Sequence, residues 1–599
     1  MMKLSDYVSQ FLSKRGVRHV FMLTGGGCMH LVDSFGRNPD IECVCCLHEQ
    51  GCGFAAEAYG DFHNGLGVAL VTSGPGGTNA VTGVAAAWLE SVSCLFLSGQ
   101  AKRADLIGSR GLRSMGQQEL DIVSVVKPIT KYAHTVLEPE SIRYELEKAL
   151  HLATHGRRGP VWLDLPLDVQ SAQVDETALP GYTPEPVPES NLRRRVAETI
   201  ELLNRAERPV LFLGNGARGA ANAGLVNRLF EVLQIPILVT WKALDMVPEE
   251  HPLYAGRPGA IGQRGANFTQ QNSDCMLILG ARLDLPQTAF NHRNFARAAK
   301  KIMVDVDPAE ISKMDTNIDV TIAADAAEFV AELLRQAEGI VPVDRGEWIR
   351  RVQDWRKRYP VVLPEYRKQT GESVNSYALV DAISESLRSD DVIYPGSSGP
   401  ASDIVMQVHR VKSGQRVLNA PGLGAMGTGL PGSIGACLAS GRRRTICVNG
   451  DGGFQLNIQE LETVRRLQLP IKFFVLCNGG YASIVAMQNN HFGGFHVGSD
   501  PASGVTLPDL VAVASAFGIP ACKIEGHDQL RERVREVLES PGPVVCAVAT
   551  DINQPTAPRA TSFVRADGII VSRPMEDLWP FLDRDEFRAN MVIPPIENE

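Results

Sequence analysis

The chain has 599 residues, a formal net charge of −9 and a hydrophobic content of 44%. This length is too great for one hydrophobic core, so we expect two to four domains. The negative charge argues against nucleic acid or an anionic membrane surface as a partner, and no stretch reaches the length of a membrane span. Twelve cysteines without a visible N-terminal signal predict reduced thiols and a cytoplasmic protein.

Strand and helix patterns alternate over residues 1–178, which predicts a parallel sheet with its ligand at the carboxyl ends of the strands. The turns that follow its predicted strands are glycine-rich or polar: Gly25-Gly26-Gly27, His48-Glu49-Gln50, Gly74-Pro75-Gly76-Gly77-Thr78-Asn79 and Ser98-Gly99-Gln100. A proline-rich linker then marks the first domain boundary.

A second α/β unit is predicted for residues 190–340. Its first strand leads into a loop with the spacing Gly214-x-Gly216-x-x-Gly219, followed by a helical stretch at 225–233. Such a loop can bind a nucleotide phosphate at a helix N-terminus, although the pattern alone is weak.

A third α/β unit is predicted for residues 345–555, and a tail follows at 556–599. The tail has little periodicity, but its aromatic residues predict that it packs on the rest of the protein, as a cover over the site. The expected fold is therefore three consecutive doubly wound parallel-sheet domains with a C-terminal extension.

Two oxygen-bearing side chains follow neighbouring strands of the third unit. Gly450-Asp451-Gly452-Gly453 comes directly after one apolar run, and Asn478 follows the next, 27 positions after Asp451. A helical stretch lies between them, so both side chains should meet at one edge of a parallel sheet. Mg²⁺ prefers such oxygen ligands, and the glycines allow the backbone to approach a diphosphate. Either loop alone would carry little weight.

This pairing of Asp451 with Asn478 resembles the thiamine diphosphate (ThDP) motif. Together with the His48-Glu49-Gln50 turn, the loop at 74–79 and Gly422-Leu423-Gly424-Ala425-Met426-Gly427, it falls in the order seen in acetolactate (acetohydroxyacid) synthases and related ThDP enzymes. The similarity covers nearly the whole chain, as pyrimidine-binding, central and diphosphate-binding domains.

The resemblance implies roles for individual residues. Asp451, Asn478 and the Gly480 carbonyl would hold Mg²⁺. Glu49 would be the proton-relay carboxylate, which needs a buried, apolar surround; the alternative is a helix N-terminal charge. The other ThDP-binding candidates are Pro75, Asn79, Ser397, Ser398, Gly424, Met426, Gly452, Gly453 and Tyr481. Candidates for the reaction itself are Gly26 and Gly27 as oxyanion donors, and His30 and Gln118 for orienting the donor or moving protons.

In flavin-containing synthases the middle domain binds FAD. By that resemblance, FAD would contact Gly214, Gly216, Arg282, Asp305 and Asp325. Other relatives keep the fold with an ADP-like ligand or with none. In the same family the active site forms between the first domain of one subunit and the third domain of another, which implies a homodimer or homotetramer.

Two departures bear on the substrate. Synthases that condense two 2-keto acids carry an Arg and a Trp where this chain has Pro286 and Met487, so a carboxylate-bearing acceptor would lose charge-assisted hydrogen bonds. The loop after Gln100 is longer than in those synthases and contributes Arg103, Arg110 and Arg113, which could grip a diphosphate or simply be solvated.

Residues 478–484 and 574–583 resemble segments of synthase-like proteins that are associated with bacterial surface-polysaccharide sugars. Some of those proteins transfer a two-carbon unit from pyruvate onto a keto-sugar nucleotide. We therefore predict a ThDP- and Mg²⁺-dependent carboligase that acts on small molecules, with a 2-keto acid such as pyruvate as donor and a carbonyl compound as acceptor. The alternatives are an acetolactate synthase proper, a carbon–carbon hydrolase or oxidase, a nicotinamide oxidoreductase, and a regulatory protein that keeps the fold.

Overall fold

The computed structural model describes residues 1–185, 191–396, 399–564 and 568–596. Three six-stranded sheets follow one another along the chain, and every pairing within them is parallel. Helices cover both faces of each sheet, and the inner strands are apolar runs buried on both sides, as expected for parallel sheets. The predicted α/β class with three doubly wound domains is therefore confirmed. Among the helices of the described residues, none combines the length and hydrophobicity of a membrane span.

The first domain has its sheet in an order that reverses next to the strand His19–Met22. From one edge to the other, the strands are Glu42–Cys45, His19–Met22, Gly67–Val71, Cys94–Gln100, Pro160–Pro166 and Tyr132–Thr135. The helices are Leu4–Lys14, Met29–Gly36, Glu49–His63, Pro75–Glu90, Ile122–Val126, Ile142–Thr154 and Leu167–Ser171. A short antiparallel pair joins Met2–Lys3 to Gln173–Val174.

The central domain repeats the arrangement. Across its sheet lie Tyr254–Gly256, Ile237–Val239, Pro209–Leu213, Cys275–Leu279, Lys300–Asp305 and Val320–Ala323. Its helices are Leu192–Arg205, Arg218–Asn222, Leu225–Leu233, Arg264–Asn272, Pro308–Ser312 and Ala326–Arg335. Two further helices, Gly346–Arg358 and Pro364–Arg367, lead to the third domain.

The third domain contains the strands Arg416–Val417, Val392–Ile393, Thr445–Gly450, Ile471–Cys477, Val544–Ala549 and Ala521–Ile524, in that order across the sheet. Its helices are Ser376–Ser386, Pro400–Val408, Gly429–Ala439, Asp451–Gln455, Leu461–Arg466, Ala482–His491, Leu510–Ala516 and Leu530–Glu539.

The first and third domains touch through the helices Glu49–His63 and Gly429–Ala439. A Cβ added to Gly435 would lie 2.1 Å from the carbonyl oxygen of Ala55, so the two helices meet backbone against backbone. Only glycine permits this approach. The helix that begins with Glu49 is thus fixed against the domain that carries Asp451.

The tail packs on the rest of the protein, and its role as a cover over the site stays a prediction. Its hairpin, Ser562–Val564 with Ile570–Ser572, is followed by the helix Arg584–Asn590. This part packs on the central domain: Asn267 donates to the Met575 carbonyl at 2.6 Å, and Gln271 donates to Glu576 at 2.9 Å. The buried helix Arg264–Asn272 carries polar side chains that need partners, and the tail supplies them.

Candidate active site and cofactor cavity

Asp451 joins the ends of two neighbouring strands. Thr445–Gly450 pairs with Ile471–Cys477 in parallel, with Gly450 opposite Leu476. The Asp451 carboxylate accepts hydrogen bonds from the N–H of Asn478 at 2.9 Å and of Gly479 at 2.8 Å on Oδ2. It also accepts the N–H of Gly452 on Oδ1 at 2.9 Å. The two loops therefore lie together at one sheet edge, as the sequence pattern predicts.

The residues around Asp451 fit a hard cation that carries phosphate. Burial raises the pKa of the Asp451 carboxyl, a cost that a bound cation would offset. The glycine backbone of both loops packs closely against its neighbours. A Cβ on Gly452 would lie 2.4 Å from the Tyr481 ring, and one on Gly480 would lie 2.3 Å from the Ser499 carbonyl oxygen. A carboxylate, the Asn478 amide and glycine backbone are oxygen donors of the kind that suit Mg²⁺.

Glu49 begins a helix at the end of a strand and is only 6% exposed. The side-chain amide of Asn79 donates a hydrogen bond to its Oε2 at 3.0 Å. Asn79 lies in the first turns of Pro75–Glu90, behind Gly74, whose φ of +60° suits glycine. Two separately predicted residues are thus direct partners. Glu49 is also the first residue of its helix, so both readings of its position hold geometrically.

Glu460 is a residue that the sequence analysis missed. Its buried carboxylate accepts the N–H of Leu47 at 2.9 Å and of His48 at 3.1 Å, which fixes the turn directly before Glu49. The Thr463 hydroxyl donates to its other oxygen at 2.7 Å, and burial raises the pKa of the Glu460 carboxyl. The contact joins residues 412 positions apart. The sole sequence signal is an acidic residue on an apolar stretch.

The other candidate residues of the first domain, Gly26, Gly27 and Gln118, lie in different surroundings. The Gly27 N–H donates to the Thr72 hydroxyl at 3.2 Å, whereas Gly26 is exposed, and the role of both as oxyanion donors stays a prediction. Gln118 has a φ of +64° and its carbonyl oxygen would lie 2.9 Å from a Cβ on Gly74, which places it beside the Glu49 group.

Two further candidates, His30 and Pro75, have less structural support for a role beside Glu49. His30 is half-buried on the helix Met29–Gly36, and no side-chain contact within the described residues joins it to Glu49. Pro75 is exposed at the first position of Pro75–Glu90. The predicted diphosphate residues Ser397 and Ser398 lie outside the described residues.

The segment 422–427 is held by the first domain of the same chain. The Gly422 N–H donates to the Glu90 carboxylate, and the Asn457 amide bridges the Gly427 carbonyl at 2.8 Å and Gln50 Oε1 at 2.9 Å. Gly424 has a φ of +61°, which only glycine adopts without strain, and Met426 is half-buried. This segment is thus shaped by contacts at both ends.

A cavity of about 630 Å³ lies at the carboxyl ends of the central sheet and extends to the third domain. The five predicted flavin residues all line it: Gly214, Gly216, Arg282, Asp305 and Asp325. They follow four adjacent parallel strands, which is where α/β sheets bind nucleotides. Burial raises the pKa of the Asp305 carboxyl, and Asp325 caps the helix Ala326–Arg335.

The first two glycines of the Gly214 loop are required by backbone contact. A Cβ on Gly214 would lie 2.1 Å from the Gly280 carbonyl oxygen, and one on Gly216 would lie 2.8 Å from the Gly280 Cα. A Cβ on Gly219 would meet nothing within 4 Å. The loop is therefore shaped by its neighbour, and the third glycine of the pattern has no packing reason.

Buried charges connect the cavity to all three domains, and no sequence pattern predicts them. Lys242 Nζ lies 3.1 Å from Asp61 and 3.0 Å from Glu90, while Asp245 pairs with Arg416 at 2.7 Å. Arg218 also pairs with Asp245, at 2.6 Å. Glu57 lies beside this cluster, and burial raises its pKa to about 8.

Comparison with known proteins places these features in one family. Three family models match in order: the thiamine pyrophosphate enzyme N-terminal TPP binding domain at residues 2–125, the central domain at 196–333 and the C-terminal TPP binding domain at 398–548. The chain is 30% identical to acetolactate synthase isozyme 1 large subunit of Escherichia coli K12 over 554 residues, covering 92% of this chain and 95% of that protein. It is 32% identical to acetolactate synthase 1, chloroplastic, of Zea mays over 553 residues, covering 90% and 84%.

Proposed function

Because the chain belongs to the acetolactate synthase-like family of ThDP enzymes, we propose that it is a Mg²⁺-dependent carboligase. It would decarboxylate a 2-keto acid, with pyruvate as the favoured donor, and transfer the two-carbon unit to an acceptor carbonyl. The observation that carries the proposal is the Asp451 carboxylate, buried at a sheet edge and bonded to the Asn478 loop. With ThDP and Mg²⁺ held there, the cofactor would supply a carbon nucleophile for the keto group and an electron sink for decarboxylation.

Asp451 and Asn478 would hold the metal, and the carbonyl of Gly480 is the third proposed ligand. The three N–H groups on the Asp451 carboxylate fix its orientation before any ligand arrives. Gly452 and Gly453 let the loop pack tightly, because a Cβ on them would lie 2.4 Å from the Tyr481 ring and 3.1 Å from Asn449 Oδ1, respectively. This group therefore binds and orients, and takes no proton.

Glu49 would hold a proton at the ring nitrogen of the aminopyrimidine. Asn79 occupies Oε2, so Oε1 is the oxygen left for the ligand. The near-complete burial of Glu49 excludes water from this contact. Glu460 keeps the preceding turn in place, and the backbones of Gly26 and Gln118 lie on the same domain as donors or positioning groups.

We propose that the working form is at least a dimer. In the described part of the chain no hydrogen bond or ion pair joins Glu49 to the Asp451 group. Several large apolar side chains near these loops are exposed, among them Leu47 at 49%, Leu456 at 52%, Met487 at 51% and Phe492 at 64%. A monomer rarely leaves such side chains in water next to a catalytic loop, whereas the first domain of a second copy would cover them.

The central cavity supports FAD as a further cofactor. Its volume of about 630 Å³ and its position at the switch of strand order suit a dinucleotide. Arg282, Asp305 and Asp325 offer polar groups along its length, and the Gly214 loop offers bare backbone. An ADP-like ligand is the second candidate for the same cavity.

For the acceptor we propose a keto-sugar nucleotide. Pro286 lines the cavity and Met487 is exposed, so neither offers a charged partner to an acceptor carboxylate. Two of the three arginines in the loop after Gln100 already have protein partners. Arg103 pairs with Asp168 at 2.8 Å, and Arg110 donates a hydrogen bond to the Leu106 carbonyl. Within the described residues no hydrogen bond or ion pair occupies Arg113, which leaves it available to a diphosphate.

The test is product mass. The protein is incubated with pyruvate, ThDP and Mg²⁺, with and without a nucleotide-linked 4-keto-6-deoxy sugar, beside a Glu49→Gln control. A two-carbon gain on the sugar, absent in the control, supports the proposal. Acetolactate from pyruvate alone would instead make it an acetolactate synthase proper, the function that the names of its relatives favour.

A further inference from the structure

One helix of the first domain connects the two proposed ligand sites. Pro75–Glu90 has 16 residues, or about 24 Å at 1.5 Å per residue. Near its start, Asn79 holds the Glu49 carboxylate at 3.0 Å. Its last residue, Glu90, lines the central cavity. A rigid element therefore reaches from the proposed proton-relay group to the wall of the nucleotide cavity.

Two cationic side chains of the central domain contact the C-terminal end of this helix. Lys242 Nζ lies 3.0 Å from Glu90 Oε2, and Arg282 donates to the Leu89 carbonyl at 2.7 Å. Both cations line the cavity. The Glu90 side chain is 1% exposed, so it depends on protein partners such as Lys242 rather than on water. A ligand that draws on Lys242 or Arg282 must also act on the helix end.

The other oxygen of Glu90 reaches into the third domain. It accepts the N–H of Gly422, and a Cβ on Gly422 would lie 2.8 Å from it. Gly422 opens the segment that carries Gly424 and Met426, the proposed platform for the aminopyrimidine. A single carboxylate thus holds a cavity cation with one oxygen and the platform with the other.

We propose that Glu90 is a positioning residue that couples occupancy of the central cavity by a dinucleotide to the ThDP-binding segment. A ligand that orders Lys242 also orders Glu90, and Glu90 fixes the start of the segment at Gly422. Coupling between two sites is reciprocal, so each ligand tightens the binding of the other by the same factor. The inference rests on the proposed function, because it takes FAD and ThDP as the two ligands.

The experiment measures both affinities in the full-length protein with Mg²⁺. FAD binding is followed by its fluorescence with and without saturating ThDP, and ThDP binding is followed calorimetrically with and without FAD. We expect the wild type to bind each ligand at least about fivefold more tightly in the presence of the other. In Glu90→Ala this ratio should fall to about 1.

Two further variants keep the result interpretable. Glu90→Gln retains an oxygen for the Gly422 N–H but loses the charge opposite Lys242, so its ratio should fall to about half or less. It carries the test if the alanine variant does not fold, as judged by thermal unfolding. Glu332→Ala removes a buried glutamate of the central domain that pairs with Arg335 at 3.0 Å, away from the cavity wall, and should keep the wild-type ratio.

The outcomes separate the two proposals. A wild-type ratio near 1 with both ligands bound would overturn the coupling and leave the cofactor assignment intact. A wild-type ratio retained in both Glu90 variants would show that coupling does not pass through this carboxylate. No FAD binding at all would remove the flavin assignment and this inference with it, while ThDP-dependent turnover of pyruvate could still be observed.

Discussion

Glu460 accepts the backbone N–H of His48 at 3.1 Å, so a carboxylate of the third domain fixes the residue directly before Glu49 in the first domain. The same Oε1 accepts the N–H of Leu47, and it leaves no room for a side chain at Gly51, whose Cβ would lie 2.8 Å away. The turn before Glu49 is therefore held by the third domain.

Replacing Glu460 should damage both stability and the Glu49 turn. Glu460→Ala leaves the partly buried N–H groups of Leu47 and His48 without this acceptor, which we expect to lower the free energy of unfolding by about 2 kcal/mol. Glu460→Gln keeps an acceptor oxygen and should cost about 1 kcal/mol. Denaturant unfolding measures both, and an alanine variant as stable as the glutamine variant would contradict this role.

Asp451→Asn should abolish metal-dependent cofactor binding while the fold remains. The amide keeps an oxygen for the N–H groups of the Asn478 loop but loses the charge that Mg²⁺ needs. We expect the affinity for ThDP in Mg²⁺ to fall at least about 100-fold, because even outer-shell partners of a metal cost about 10- to 100-fold. Calorimetric titration measures it.

The matched control for that variant is Asp509→Asn, which changes an exposed helix cap that pairs with Lys523 at 2.9 Å. Its ThDP affinity should equal that of the wild type. Equal losses in the two variants would show that the effect is a general one of charge.

These two groups also show what the sequence can and cannot predict. The meeting of Asp451 with the Asn478 loop follows from the pattern, because consecutive parallel strands that pair must end at one edge. The Glu460 contact does not follow, since it depends on how two domains dock. The same holds for Lys242 and Glu90, whose charges become a buried pair only after docking.

Irregular segments were the least predictable. Gln118 adopts a φ of +64°, which no residue preference at that position suggests. The aromatic residues of the tail predict that it packs on the protein, and the structure shows that part of it satisfies the buried polar face of Arg264–Asn272. Composition predicted that the tail packs, but only the unpaired side chains of that helix determine where.

The glycines of the Gly214 loop should differ in importance. Gly216→Ala would push a Cβ to 2.8 Å from the Gly280 backbone, so we expect a loss of about 1–3 kcal/mol in unfolding free energy and weaker FAD binding. Gly219→Ala meets open space inside a helix and should be neutral or stabilising by about 0.5–1 kcal/mol. Thermal unfolding and FAD fluorescence compare them, and equal effects would contradict the packing argument.

Glu57 should make stability depend on pH. Burial raises its pKa to about 8, above the value of about 4.3 in an unfolded chain. Between these values the unfolded state releases the proton while the native state keeps it, so the stability contribution is complete at low pH and is lost as pH rises toward 8. Glu57→Gln cannot lose a proton and should lack this decline.

The thermal unfolding midpoints of wild type and Glu57→Gln, measured at pH 5, 6, 7 and 8, provide the check. When the midpoints are converted to unfolding free energies, the difference between the two proteins should move in favour of the variant by up to about 1.4 kcal/mol per pH unit. Glu332→Gln, outside the ionic cluster, serves as the control and should follow the wild type. A constant difference for Glu57→Gln would show that Glu57 is ionised in the native protein.

Dependence of turnover on ThDP and on Glu49 is tested by CO₂ release from pyruvate, measured for the wild type and for Glu49→Gln, each with and without ThDP and Mg²⁺. We expect the wild type to turn over only when both are present, and Glu49→Gln to lose at least about 100-fold in rate while it keeps its thermal unfolding midpoint. Wild-type turnover in Glu49→Gln, or none in the wild type with both cofactors, would contradict this expectation.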